Sequence, residues 1–452
     1  MLMRKTLTVA VATLAVAAGA STAQAGPPGK WTQVTGIGQD DLNIMRVGLA
    51  RTGDGVLHVL WTRSGPGNAG TVLHSAVSSN AKSVTGPSTV YAATDGVNES
   101  VDVVRAGDGS LRVFFAATNV FDSAMASATS SDGGSWGVQA PVSKRPPQAK
   151  PVYAASGIGA AVGTDGTFYS IWGDSAPNGG GFHVGLDPNS ADGNLPGGLK
   201  ADPDVGVDSQ GGRVFAGWNS LDDEGVVVMP LNPDGDRASI QNSAPQLQHR
   251  VGITGRIGAP GVFVAYAQGS NPFLADPAVY RADTGATKRL TKRDGELVSI
   301  AAAPAGRLWV FWKDVGTIYA SRSNKAATSW GRIVKVKAPK GSTTIYDLSG
   351  EGSLGPLDLL ALVDPPTGTL SSWHQRILPG LFFTTKKSNG KTVVKVTDAG
   401  SPVAGATVKV KGDGSKTTGA GGTAKFDLAA GRYTISASKA GYAPYSKRVR
   451  VK

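Results

Sequence analysis

Six side chains that could bind a ligand or take part in chemistry lie near the first strand of successive sequence repeats: Arg46, Glu99, Asp202, Arg250, Glu296 and Tyr346. A guanidinium binds a carboxylate through two parallel hydrogen bonds, and a phenol needs a nearby base before it can attack. Two carboxyl groups about 5–9.5 Å apart in one pocket could cleave a glycosidic bond. The set predicts a site for an acidic or hydroxyl-rich ligand, with hydrolysis as the alternative.

The elements that must position these side chains are seven copies of a short apolar phrase, each of which follows a tight turn. The copies read LHVLW, LRVFF, FYSIW, VFAGW, VFVAY, LWVFW and LDLLA at residues 57–61, 111–115, 168–172, 214–218, 262–266, 308–312 and 357–361. The last residues of successive copies lie 46 to 57 positions apart. Short β-rich runs that recur at this spacing are typical of a β-propeller. The sequence predicts seven blades, and the irregular third repeat leaves six or eight open.

Each repeat reads as four strands, but the seventh has only three before its pattern stops. Residues Lys30–Val34, ahead of the first repeat, resemble an unpartnered fourth strand. We expect this segment to complete the seventh blade and close the ring, because closure removes exposed strand edges.

The first 25 residues predict export. Arg4 and Lys5 precede an apolar run, and Ala23-Gln-Ala25 has the small residues of a cleavage site. The mature chain is therefore expected to be secreted or held at the cell surface, with residues 26–380 as the propeller. No later run is apolar enough to span a membrane, and the absence of cysteine excludes disulfides.

The net charge of +12 is unevenly placed, because residues 381–452 contain 11 Lys, 3 Arg and 3 Asp, a net charge of +11. We call residues 381–452 the C-terminal segment. Its charge could hold the protein to an anionic cell-wall polymer, and a lysine-coated soluble domain is the alternative. The segment contains no motif that recognises nucleic-acid bases, so nucleic acid is not expected as a partner.

A family resemblance comes from the turn at Ser130–Trp136, which reads SSDGGSW. It is similar to the Asp-box of sialidases and related BNR-repeat propellers, and Ser323–Trp330 has the full spacing of that box with Lys325 and Ala327 in place of its Asp and Gly. The box supports a hairpin: Asp accepts turn amide hydrogen bonds, and Trp packs between strands.

The resemblance to sialidases also implies candidate site residues. Met45–Leu49 is similar to the motif that carries the first sialidase arginine, Asn98–Ser100 to the segment of the glutamate that assists the nucleophile, and Ile345–Leu348 to the stretch around the nucleophilic tyrosine. Gly48 replaces the proline of the first motif, Arg250 is the one other arginine candidate, and the acid has no motif. These departures favour binding over sialidase chemistry.

No metal or cofactor is expected. The acidic loops at Asp187–Gly193 and Asn232–Asp236 lack the ligand spacing of a calcium site, and the five histidines are scattered. Trp61, Trp172, Trp218 and Trp312 share one strand position, which indicates packing rather than a sugar platform.

The C-terminal segment contains short Val/Thr/Lys strands joined by the phrases SPVAGA, TGAGG, AGRY and KAGY. This string resembles the carboxypeptidase regulatory-like domain, which implies a small prealbumin-like β-sandwich. The string is also related to the collagen-adhesin stalk, some members of which form a Lys–Asn isopeptide crosslink that a buried acid assists. No Glu follows Glu351, so no crosslink is expected.

The sequence thus predicts an all-β protein: a seven-bladed β-propeller, sialidase-like, followed by a prealbumin-like β-sandwich. Its expected role is non-enzymatic recognition of an extracellular glycan or surface protein at the propeller face. A divergent glycoside hydrolase and a structural spacer without a specific ligand are the alternatives.

Overall fold

The computed structural model describes residues 30–35, 47–64, 70–92, 100–115, 125–138, 142, 157–173, 180–187, 189–190, 192–196, 200–220, 225–245, 249–271, 273–292, 294–342, 344–364 and 370–452. The predicted signal segment, Arg46 and Glu99 lie outside these residues. Throughout the described part the regular elements are β-strands, which confirms the all-β class. It contains no helix long and apolar enough to cross a membrane.

The described residues between 32 and 377 form seven small antiparallel sheets, which we number in chain order. Sheet one contains β2 (Gly48–Arg51), β3 (Leu57–Ser64), β4 (Gly70–Val77) and β5 (Val84–Ala92). Sheet two contains β6 (Val101–Arg105), β7 (Leu111–Phe115), β8 (Ala126–Ser130) and β9 (Gly137–Val138). Sheet three contains β10 (Ile158–Val162), β11 (Phe168–Trp172), β12 (Gly181–Val184) and β13 (Gly193–Asn194). Sheet four contains β14 (Lys200–Val207), β15 (Val214–Ser220), β16 (Gly225–Asn232) and β17 (Ala238–Ser239).

Sheet five contains β18 (Ser243–Ala244), β19 (Gly252–Gly255), β20 (Val262–Gln268), β21 (Asp276–Arg281) and β22 (Ala286–Arg289). Sheet six contains β23 (Glu296–Ala303), β24 (Arg307–Asp314), β25 (Thr317–Arg322) and β26 (Val334–Lys337). Sheet seven contains β27 (Thr344–Glu351), β28 (Leu357–Asp364) and β29 (Ser371–Ile377), and its fourth strand is β1 (Thr32–Gln33). The seven apolar phrases thus lie in β3, β7, β11, β15, β20, β24 and β28, beside the strand that starts each sheet.

We call β2, β6, β10, β14, β19, β23 and β27 the starting strands of the seven sheets. The starting strands of neighbouring sheets contact one another in chain order, and β27 of sheet seven contacts β2 of sheet one. Two glycines permit the close approach: a Cβ on Gly159 would lie 2.5 Å from Asp204 Cα, and one on Gly252 would lie 2.8 Å from Ser299 Cα. The apolar core among the described residues follows the same order, since its clusters each join two neighbouring sheets. In one of them Leu360 of sheet seven packs with Leu57 and Trp61 of sheet one. Burial between sheets is therefore what holds this region together.

The turn at Ser130–Trp136 has the hydrogen bonds that its sequence predicts. Asp132 Oδ1 accepts from the Gly134 and Ser135 amides at 2.8 and 2.9 Å, and these bonds lower the pKa of Asp132 to about 2. Gly133 meets His58 of the neighbouring sheet, because a Cβ there would lie 2.0 Å from His58 Cε1. The turn therefore fixes sheet two against sheet one.

His58 and His74 form a buried pair behind this turn. His58 Nδ1 lies 2.9 Å from His74 Nε2, and the rings stack with centroids 5.1 Å apart. Burial and the neighbouring His58 lower the pKa of His74 to about 4, and burial lowers the pKa of His58 as well. Both rings are consequently neutral at pH 7.

A second buried polar cluster joins sheets one and seven. Asp358 accepts from Arg51 of sheet one, from Arg376 Nε at 2.8 Å and from His374 Nε2 at 2.8 Å. Burial opposes the charge of Asp358, but the bonds to His374 and Arg376 and the charge of Arg51 outweigh it and hold the pKa well below its usual range. The cluster is thus a charged connection between the first and the last repeat.

The C-terminal segment forms two further sheets. One contains β30 (Phe382–Ser388), β31 (Lys391–Asp398), β32 (Ser401–Pro402) and β35 (Thr423–Phe426). The other contains β33 (Thr407–Val410), β34 (Gly414–Thr417), β36 (Gly431–Ser438) and β37 (Tyr445–Val451). They enclose one apolar cluster that includes Val394, Phe426 and Ile435, while Lys and Arg alternate outward along the strands.

The C-terminal segment is attached to sheet six through Asp398, which is 1% exposed. Its Oδ2 accepts from Arg322 at 2.5 Å and lies 3.5 Å from Arg307 NH1. Arg332 Nε donates to the Leu381 carbonyl at 2.9 Å, and its guanidinium lies over the Tyr445 ring. The contacts of Arg322, which is buried, and of Arg332, which is half-buried, therefore hold the segment against sheet six.

Candidate functional site

The starting strands of the seven sheets surround a cavity of about 300 Å³. Each sheet contributes to its lining, which includes Leu49, Asp102, Ala160, Asp204, Arg250, Ser299 and Ser349. One end of the cavity lies where β19 and β27 end, and it is lined by Thr254, Glu351 and Ser353. A concave space with a few convergent polar groups is the usual form of a ligand site.

Arg250 crosses this cavity from sheet five to sheet two. Its NH1 donates to Asp102 Oδ1 at 3.0 Å and its NH2 donates to the Val101 carbonyl at 2.7 Å. Burial opposes the charge on Arg250, but Asp102, Asp204 and Asp347 outweigh that effect and raise the pKa of the guanidinium. Each terminal nitrogen already has one acceptor in the protein, so a ligand carboxylate would compete with Asp102 and the Val101 carbonyl for the guanidinium.

Asp102 is equally committed to the protein. Besides Arg250, its carboxylate accepts the Val103 amide at 2.9 Å and the Ala160 amide at 2.8 Å. One carboxylate thus connects sheets two, three and five. Glu351 is paired in the same way at the other end, where its Oε2 lies 2.6 Å from Arg51 Nε.

His249 and Asp347 form a second connection across the starting strands. His249 Nδ1 lies 2.6 Å from Asp347 Oδ1, its Nε2 lies 3.3 Å from the Val298 carbonyl, and its own carbonyl accepts from Asn219. An Asp–His pair acts as a base only when the second ring nitrogen faces a substrate. Here both nitrogens face protein oxygens, so the ring positions strands instead.

Three of the predicted site residues lie where the starting strands contain an extra residue. Register shifts occur between Ala201 and Asp204, between Glu296 and Ser299, and between Ile345 and Asp347. Such bulges reverse which side chains face a given direction. Asp204, Ser299 and Ser349, which follow the bulges, line the cavity.

The four predicted site residues that the structure describes have different surroundings and do not form one site. Arg250 lines the cavity; Asp202 is 2% exposed, has a φ of 59°, and lies outside the lining. Glu296 forms an ion pair with Lys313 of its own sheet at 2.6 Å. Tyr346 is half-buried at the bulge beside Asp347.

The candidates predicted from the sequence do not include Asp102, Asp204, His249 and Asp347. Asp204 lies two positions after the predicted Asp202, so a search for acids at alternate positions would have found it, whereas Asp102 lies three positions after Glu99 and has no such signal. Among the described residues, no three His, Asp or Glu side chains are grouped so as to hold a metal ion.

Comparison with known proteins identifies the C-terminal part of the chain. Residues 392–452 match the carboxypeptidase regulatory-like domain, as the sequence predicts. The chain matches none of the curated proteins with which it was compared.

Solved structures resemble the larger part at low similarity. A Dyadobacter fermentans protein of unknown function has 11% identity and a TM-score of 0.45, covering 77% of this chain and 98% of its own. A variant of the NanB sialidase from Streptococcus pneumoniae has 10% identity and a TM-score of 0.41, covering 64% and 68%. The SapL1 lectin, solved with alpha methyl fucoside, has 13% identity and a TM-score of 0.37, covering 66% and 97%.

Proposed function

We propose that residues 26–380 form a closed, seven-bladed, sialidase-like β-propeller that recognises a glycan or a surface protein without catalysis. The cyclic contacts of the starting strands support the ring, as does the pairing of β1 with β29. Export through residues 1–25 would place this activity outside the cell. The basic C-terminal segment would hold the protein to anionic surface polymers.

The observation that carries this proposal is the pairing of the charged groups in the cavity. Arg250 is bonded to Asp102, and Glu351 to Arg51. A hydrolase needs a carboxyl acid and a nucleophile that are free to act on the substrate, and a sialidase needs a free arginine clamp. The cavity instead offers hydroxyl groups from Thr254, Ser299 and Ser353.

The same ion pairs restrict the chemical class of ligand that the cavity can bind. An acidic sugar would compete with Asp102 for Arg250 and would approach the acidic side chains of Asp204 and Glu351. A neutral, hydroxyl-rich ligand would exchange hydrogen bonds with the polar lining and keep the ion pairs intact. Neutral glycans are therefore the preferred class.

A glycan-array screen of the exported protein, with and without a blocked cavity, tests the proposal. Thr254→Trp places a large ring in the cavity from β19, whereas Thr287→Trp makes the same change on the exposed outer strand of the same sheet. Binding of a neutral glycan should fall at least about tenfold in the first variant and stay unchanged in the second.

Ser353→Trp, at the same end of the cavity but on a different sheet, provides a second blocking variant if Thr254→Trp unfolds. Equal binding by all variants would mean that the cavity is not the site. Release of free sugar from a bound glycan would instead support the hydrolase, and the absence of any bound glycan or protein would favour the structural spacer.

A further inference from the structure

The outer surface of one sheet of the C-terminal segment carries cations whose positions follow from the strand register. Val410 of β33, Ile435 of β36 and Val451 of β37 pack into the apolar cluster. Because successive residues of a strand point to opposite faces, residues at odd distances from these three face outward. The cations at such positions, all exposed, are Lys409, Lys411, Arg432, Arg448 and Arg450. We call these five residues the basic face.

The register arranges the basic face in three rows across the sheet. Lys411 continues the pairing of β33 with β36, because its amide donates to the Thr434 carbonyl at 3.0 Å. The rows follow one another at alternate residues, so they are about 6.5–7 Å apart. In order along β36, they contain Lys409 with Ser436, then Lys411 with Thr434 and Arg448, then Arg432 with Arg450.

The middle strand presents small hydroxyl side chains between the cations of the outer strands. Thr434 and Ser436 of β36 lie between the lysines of β33 and the arginines of β37. Since β33 and β37 both pair with β36, the two lines of cations are about 9–10 Å apart. The surface is therefore a shallow trough along β36, with hydroxyl groups at its floor and cations on both sides.

The charge of the basic face is not neutralised within the segment. The acids of the segment are Asp398, which binds an arginine of sheet six, Asp427, which lies 3.8 Å from a lysine of β31, and Asp413, in the turn after β33. No ion pair among the described residues includes a cation of the basic face. Arg432 and Arg450 are directly opposite on neighbouring strands, and such like charges destabilise a sheet. A bound polyanion would offset this repulsion.

We propose that the basic face binds a linear polyol phosphate polymer, with successive phosphodiester groups on successive rows. A glycerol phosphate chain linked through its terminal carbons has six bonds from one phosphorus to the next, as do two residues of a strand, so both repeats are about 7 Å long. Lys and Arg bind phosphate oxygens through charge-assisted hydrogen bonds. The proposal rests on the surface-retention role given above and makes it specific by naming one face and one class of polymer.

The composition of the basic face favours a polymer without bases over nucleic acid. Single-stranded nucleic acid is bound by aromatic side chains on which its bases stack. The tyrosines of these strands, Tyr433 and Tyr445, pack against the apolar cluster instead. The outward positions therefore offer charges and hydroxyl groups without an aromatic ring.

Calorimetric titration of the full chain with defined glycerol phosphate oligomers, at constant ionic strength, tests the site. Lys409→Gln/Lys411→Gln removes two lysines of the basic face, whereas Lys395→Gln/Lys425→Gln removes two exposed lysines from the outer surface of the other sheet. The affinity should rise steeply from one to three phosphates. It should weaken about tenfold or more in the first variant and less than about threefold in the second.

A second pair of variants tests the trough without changing the charge. Thr434→Phe fills the space between Lys411 and Arg448, and Thr384→Phe makes the same change at an exposed position of β30. Exposed strand positions accept aromatic residues. Binding of the oligomers should weaken about tenfold in the first variant and stay unchanged in the second.

The outcomes separate this site from general retention by charge. Equal losses in the two lysine variants, or unchanged binding by Thr434→Phe, would overturn the site and leave retention intact. Tighter binding of an oligothymidylate with the same number of phosphates would also overturn it, because nucleic acid would then be the ligand. Adsorption to poly(glycerol phosphate) that is unchanged when all four lysines are replaced would refute retention itself.

Discussion

Acidification should weaken the chain through the buried pair His58 and His74, well before its carboxylates are protonated. His74 is 6% exposed and its pKa is lowered from 6.5 to about 4. A histidine whose folded pKa is depressed binds its proton more readily in the unfolded chain. Its contribution to stability is therefore complete above pH 6.5 and is lost as the pH falls toward 4.

The magnitude follows from the size of that shift. Between the two pKa values, each such histidine lowers the free energy of unfolding by about 1.4 kcal/mol per pH unit. For His74 the whole interval corresponds to about 3 kcal/mol. Asp54 and Asp132 partly offset the loss because they favour the charged imidazole of His58.

The measurement is the free energy of unfolding in urea at pH 7.5, 6.5, 5.5 and 5.0 for the wild type and for His74→Gln. The wild type should lose about 1.4 kcal/mol per pH unit more than the variant between pH 6.5 and 5. NMR titration of the His74 ring protons should give a midpoint near pH 4. Parallel stability curves, or a ring that titrates near pH 6.5, would refute the reasoning.

Two further substitutions test the connections between sheets, each by urea unfolding. Asp358→Asn leaves Arg51 and Arg376 without a full counter-charge and should lower the free energy of unfolding by about 3–5 kcal/mol, whereas exposed Asp427→Asn should change it by less than about 0.5 kcal/mol. A loss below about 1 kcal/mol would show that the cluster does not join the sheets. Gly133→Ala places a Cβ against the His58 ring at positive φ and should cost about 2 kcal/mol or more. Gly107→Ala, which meets no atom within 4 Å, is the control, and equal effects would contradict the contact.

The strand pattern could be predicted because it depends on local chemistry. The phrases LHVLW and LWVFW alternate or cluster apolar groups after tight turns, and both lie in buried strands as expected. In the C-terminal segment the Val/Thr/Lys pattern at Thr407–Val410 forms a strand with alternating burial. The edge strand Gly414–Thr417 has no such signal in the sequence, because its residues are all exposed and none is apolar.

The cavity lining could not be read from the sequence in the same way. Which of Tyr346 and Asp347 meets His249 depends on one extra residue in β27, and the sequence does not mark that bulge. Arg250 was found, but its partner Asp102 lies 148 positions away. Only the arrangement of the sheets brings such residues together, so the sequence alone could not show that the Arg250 guanidinium is bonded to Asp102.

The pairing of β1 with β29 has a consequence for the order in which the chain folds. The Ser372 amide donates to Thr35 Oγ1 across 337 positions, so β1, the first strand of the repeat region, cannot pair until one of the last strands of that region has been synthesised. Closing so long a loop slows folding. Until β1 arrives, β29 presents unpaired backbone groups that another copy can bind. We therefore expect self-association in the interval between synthesis of β29 and its pairing with β1.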